Sequence, residues 1–135
     1  MTHIASMIET HPDGAAGLDV TKLADCIAAC TRCAQTCTAC ADACLAEDMV
    51  ADLRSCIRLN LDCADLCAAT GYILSRRTGQ NLATVRAALE SCIVVCQACG
   101  NECEQHAGMH EHCRVCAEAC RACEAACREL LAVMV

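Results

Sequence analysis

Residues 26–44 read CIAACTRCAQTCTACADAC, in which Cys26, Cys30, Cys33, Cys37, Cys40 and Cys44 follow one another at steps of 4, 3, 4, 3 and 4. Side chains three and four apart share one face of an α-helix, so this stretch predicts a helix carrying a continuous stripe of sulfur. The stripe recurs in Cys92, Cys96, Cys99 and Cys103, and again in Cys113, Cys116, Cys120, Cys123 and Cys127. A sparser ladder holds Cys56, Cys63 and Cys67, with Asn60 at the register position four residues after Cys56. These ladders account for all 18 cysteines of the 135-residue chain.

Three polar or glycine-bearing breaks separate the ladders: AEDM at 46–49, SRRTGQN at 75–81 and HAGMH at 106–110. The segments between them are rich in Ala, Leu, Arg and Glu and free of proline, which favours helix by propensity as well as by period. Helices are expected near 19–45, 49–76, 80–106 and 109–132, with Asp19 and Asp48 as N-caps and Gly79 and Gly108 in the left-handed position that ends a helix. Short connections make neighbours antiparallel, so the fold class is all-α: an up-down-up-down four-helix bundle with a cysteine-lined core over residues 19–135. Residues 1–18 stand apart, broken by Pro12 and Gly14, while Ile4, Met7 and Ile8 allow one apolar turn of a short helix lying against the bundle.

Composition narrows the function. Phe and Trp are absent and Tyr occurs once, so sulfur must fill the interior, while 56% hydrophobic and 20% charged residues are far from the signature of disorder. A net charge of -7 offers no basic patch to nucleic acid or anionic lipid. Charged residues interrupt the apolar runs well short of the roughly 20 residues that a membrane span needs. The N-terminus, MTHIASMIETHPDGAAGLD, lacks the features of a signal peptide, so the expected location is the cytoplasm. In a reducing compartment this cysteine load points to metal binding or redox chemistry rather than a disulfide scaffold.

A core of small Cys and Ala side chains would be underpacked unless something fills the tube, and bound metal would fill it. Buried thiolates must be neutralised nearly one for one, because stripping an ion of water costs roughly 20 kcal/mol in the idealised limit. Monovalent Cu(I), bridged by thiolates, achieves this, and softness selects it too. A zinc ion with four cysteinates keeps two negative charges. The rival reading is an iron–sulfur or dithiol redox protein. Iron–sulfur ligation, however, uses closely spaced cysteines in loops, and the disulfides of helical hairpins use a different spacing from this one.

Over residues 19–132 the repeated CxxxCxxCxxxC ladders resemble those of the bacterial copper storage proteins, more closely their cytosolic branch than the exported one. The resemblance implies a bundle whose lumen holds many Cu(I) ions bound mainly by cysteine pairs, and a homotetramer of such bundles. No catalysis is expected from the residues, since the cysteines lie buried in a row and the histidines cluster at one mouth, which leaves no nucleophile paired with a base. Copper would arrive from copper chaperones or small thiols.

Helix alternation brings the loops near 47 and 107 to one end. Continuing the third ladder gives His106 and His110, and extending the fourth backward gives Met109. These are candidate ligands at a polar mouth. Met49 opens the second helix nearby, and His112 is adjacent but off the strict register. Asn60 lies within the seam, where its amide oxygen would complete a site missing a thiol or simply satisfy other polar groups. Leu23, Leu74, Leu82, Val85, Leu89, Leu130 and Met134 gather at the other end as a hydrophobic plug, and Ile57, Leu61 and Val94 point outward, as subunit contacts would. Thiols behave as small hydrophobes and the helix formers need no metal, so the reduced, metal-free protein is expected to be helical already. Circular dichroism checks this, and a coil spectrum that turns helical only on adding Cu(I) would contradict it.

Overall fold

Each ladder forms a helix, and the local chemistry sets where it starts. The computed structural model describes residues 2–79 and 81–134. Helix α1 spans Thr2–Glu9, α2 Val20–Leu45, α3 Arg54–Ser75, α4 Leu82–His106 and α5 Glu111–Val133, with one 3₁₀ turn over Val50–Leu53 and no strand among the described residues. Asp19 caps α2 as expected: its backbone is extended and its carboxylate accepts from the Lys22 N–H at 2.9 Å.

The later boundaries depart from expectation. Asp48 caps nothing; the chain passes through the 3₁₀ turn and α3 begins only at Arg54. The expected start of the next helix, residue 80, falls outside the described residues. Gly79 is left-handed, with φ 56°, but lies beyond Arg76, whose extended backbone has already ended α3. Gly108 is not left-handed. The turn after α4 keeps Ala107 in the right-handed region and is closed by the His106 carbonyl, which accepts from Met109 N at 3.1 Å and His110 N at 3.0 Å.

Short connections make successive helices antiparallel. Helix α2 packs against α3 and α5, and α4 against the same two, so the four helices form a square around one axis. All 18 cysteines are buried on that axis. Helix α4 is long and apolar enough by composition to cross a membrane. Its cysteines Cys92, Cys96, Cys99 and Cys103 face the axis with Ile93 and Val95 buried beside them, while Val94 is exposed and Glu90, Gln97, Asn101 and Glu104 lie outside.

At the base, Leu23, Leu74, Leu89 and Leu130 are fully buried, with Val85, Met134 and Ile8 of α1 nearly so. Leu82 is a correction: as the first residue of α4 it sits on the rim, bordering two surface cavities, and is 41% exposed. Residues 10–18 are tied across the base. Arg77, buried with no carboxylate partner among the described residues, donates to the carbonyls of Leu74 at 3.2 Å and Ala15 at 3.3 Å, and Thr78 Oγ1 lies 3.2 Å from His11 Nε2. Outside, Leu61, Val94 and Tyr72 are exposed, whereas Ile57 is half-buried against the core and does not face solvent as expected.

Leu74→Ala removes a fully buried side chain from the base and is expected to destabilise the metal-free protein by about 2–5 kcal/mol. Urea unfolding followed by circular dichroism measures this.

Candidate metal centre

The short Cβ–Sγ arms bring sulfurs from different helices into contact. Cys67 lies 3.6 Å from both Cys92 and Cys96, and Cys37 lies 3.7 Å from both Cys116 and Cys120. Several groups of four have all their sulfurs within 4.8 Å of one another. One such group is Cys33, Cys63, Cys67 and Cys96, and another is Cys30, Cys92, Cys123 and Cys127. Two more are Cys37, Cys99, Cys116 and Cys120, and, nearest the α4–α5 turn, Cys40, Cys44, Cys56 and Cys113. No cysteine is shared among these four groups, so soft donors run the length of the tube.

Hydrogen bonding and burial set the protonation pattern. Cys56 is held down at about 2 by its hydrogen bond with Cys103, then by one with Cys40, and Asn60 Nδ2 also donates to its sulfur at 3.6 Å. Cys44 is pushed up to about 11, by burial first and then by the neighbouring Cys56 charge; Cys113 is raised for the same two reasons. Deeper in, Cys37 and Cys67 are pushed well up by hydrogen bonds, with Cys116 foremost for the first and Cys123 for the second. Most of the array is therefore neutral thiol around a few acceptor sulfurs.

Asn60 is fully buried on the axis, where its Oδ1 accepts from the thiols of Cys99 at 3.0 Å, Cys116 at 3.2 Å and Cys103 at 3.4 Å. The amide is thus satisfied by thiols alone, and its oxygen is already aimed at three sulfurs.

The mouth is organised by Glu47 rather than by the ladder register. Its Oε2 lies 2.8 Å from His112 Nε2 and 3.0 Å from His110 Nδ1, and the hydrogen bond from His112 holds its carboxyl below the usual range. With Nε2 donating to that carboxylate, Nδ1 of His112 is the free lone pair. It stands 3.5 Å from Cys40 Sγ and 3.6 Å from Cys113 Sγ. The His110 ring stacks on it with centroids 5.5 Å apart, and its own Nε2 is buried without a partner. His106 turns to Glu102 at 2.8 Å, and Met109 is 68% exposed. Met49 is exposed too, and Leu53, three residues before Cys56 on the same seam, fills the interior instead.

A profile of the copper storage proteins matches residues 19–132. The chain belongs to the copper storage protein family. Among solved structures it resembles the copper storage protein Ccsp of Streptomyces lividans loaded with 10 copper equivalents, at 59% identity and a TM-score of 0.94, over 96% of this chain and 98% of that one. It also resembles a cytosolic copper storage protein from Streptomyces lividans carrying five coppers, at 63% identity and a TM-score of 0.84, over 85% of this chain and 96% of that one. A third likeness is to the Cu(I)-bound copper storage protein BsCsp3, at 37% identity and a TM-score of 0.70, over 78% and 94%.

Within this copper storage fold, sequence reasoning passed over His112 because it falls off the register of the fourth ladder. The α4–α5 turn restarts the helical phase, so a register carried across it does not predict facing. The usable signal was local: His112 directly precedes Cys113 in the first turn of α5. His112→Ala is expected to slow the first phase of Cu(I) uptake more than His106→Ala does, with capacity changed by no more than about one ion in either. Stopped-flow uptake from a chromophoric Cu(I) chelator separates the two.

Proposed function

We propose that this chain stores Cu(I) in the cytoplasm, taking up about one ion per cysteine into the tube of its bundle, residues 19–135, and that it is not an enzyme. The observation that carries this is the continuous run of buried sulfurs. Soft thiolates select Cu(I), and one monovalent cation per sulfur leaves a dry interior near neutrality. All 18 cysteines serve as ligands in this reading. Asn60 lends its oxygen where the α3 ladder lacks a thiol, and His110, with His106 and Met109 further out, receives copper at the mouth, beside His112. Delivery by copper chaperones or small thiols fits a mouth that carries exchangeable imidazoles. The exposed Leu61 and Val94 support assembly of chains into a tetramer.

Anaerobic titration of the reduced protein with Cu(I) against a chromophoric chelator is expected to reach an endpoint near 18 per chain. Four or five would instead indicate isolated tetrahedral sites. Cys33→Ser/Cys37→Ser should lower capacity by about two while leaving initial uptake unchanged. Thiols held up as Cys44 is, at about 11, are protonated at neutral pH, so loading must release protons and copper binding must weaken as pH falls. A pH-indicator dye in weakly buffered solution is expected to register proton release on loading, at fewer than one proton per Cu(I) because a sulfur held down as Cys56 is has already lost its proton.

A further inference from the structure

The spacing of the sulfurs in mid-tube matches a second kind of ion. A tetrahedral M²⁺ with metal–sulfur bonds of about 2.3 Å has sulfur–sulfur edges of about 3.8 Å. In the group formed by Cys33 of α2, Cys63 and Cys67 of α3 and Cys96 of α4, four edges are 3.8, 3.8, 3.8 and 3.6 Å. The other two are within 4.8 Å. These four sulfurs thus stand at almost the edge length of a tetrahedral thiolate site. We propose that this group is a tetrathiolate site for a divalent d¹⁰ cation, Zn²⁺ in the first instance, filled when Cu(I) is scarce.

Binding sends whatever protons the four sulfurs carry to solvent, takes up one dication, and leaves four thiolates around it with two net negative charges. Burying that charge requires donors, and thiols outside the group supply them. Cys37 lies 3.7 Å from Cys33, Cys92 lies 3.6 Å from Cys67 and 4.0 Å from Cys96, and Cys123 lies 3.9 Å from Cys67. Each can turn its S–H toward a metal-bound sulfur, the part that hydrogen-bonded surroundings play at other metal sites. The same four sulfurs serve both ions, so the two compete. One Zn²⁺ ties up four sulfurs and leaves charge behind, whereas Cu(I) at one per sulfur does not, so copper in excess expels zinc. Storage from the zinc form is therefore a metal exchange. The inference concerns the thiols alone and does not require the copper reading to hold.

The test uses the full-length reduced protein, metal-free and anaerobic, titrated with Co²⁺ as the spectroscopic probe and then with Zn²⁺. The first equivalent of Co²⁺ is expected to give the intense visible absorption of tetrahedral cobalt thiolate, which one equivalent of Zn²⁺ removes and excess Cu(I) also abolishes. Cys63→Ser/Cys67→Ser should weaken the first-equivalent band at least tenfold while the circular dichroism stays helical. Should that variant lose its helices, Cys96→Ser takes its place. Absence of the band in the parent protein, or an unchanged first equivalent in the folded variant, overturns the proposal. A parallel Cu(I) titration keeps the two readings apart. Copper uptake without a cobalt band sinks this inference and leaves storage standing, and a cobalt band without copper uptake does the reverse.

Discussion

A cysteine side chain reaches only one atom beyond Cβ, so sulfurs on neighbouring helices meet only if the backbones come close, and the rest of the bundle accommodates that approach. Of the buried positions flanking the seams, several are taken by alanine, Ala29, Ala41, Ala64 and Ala117, beside the larger Ile27, Ile93 and Val95. Where α2 and α3 meet, Gly71 leaves room beside Cys30; a Cβ added there would stand 3.5 Å from that residue's own Cβ. At Gly100 the Arg121 guanidinium lies over the helix, where a Cβ would come within 2.9 Å of Nη1. Bulkier residues are pushed to the ends of the axis, Leu53 at the mouth and Leu23, Leu74, Leu89 and Leu130 at the base. The close packing that elsewhere comes from interlocking large side chains comes here from polarizable sulfur in mutual contact.

The fold and the sulfur array could be read directly from the chain because the period of the ladders is the period of the helix. Cys26 through Cys44 specify a face, and four such faces specify a square. What could not be read lies where that periodicity is interrupted. Met109 lies in the turn that resets the phase and His112 follows it, Asp48 precedes a 3₁₀ turn rather than an α-helix, and Leu82 starts its helix on the rim. Leu53 was within reach, since it continues the α3 seam one step before Cys56. Asn60 was placed on the axis correctly, but its three thiol donors come from α4 and α5, and contacts between helices leave no trace in the spacing of one of them.

The two ends of the axis differ in what they offer an ion. At the mouth a single carboxylate oxygen of Glu47 orients two imidazoles, and the lone pair this frees on His112 looks toward sulfur. At the base there are methyl groups, and below them an N-terminal segment bonded through Arg77 and His11 to the α3–α4 connection. Donor strength rises from imidazole to thiolate along the path inward, which is the order expected if ions are to be handed on rather than caught at the rim.

Tyr72, the sole aromatic residue, stands on the outer face of α3, and neither Phe nor Trp occurs anywhere in the chain. The interior is consequently free of ring chromophores. No Tyr, Phe or Trp side chain touches the thiol array among the described residues, so none lends it near-ultraviolet absorption, quenches its emission or reports on its repacking through fluorescence. Any near-ultraviolet dichroism or luminescence that arises when the axis is occupied belongs to sulfur and its ion, and an optical spectrum of the loaded bundle is a direct view of the coordination inside it.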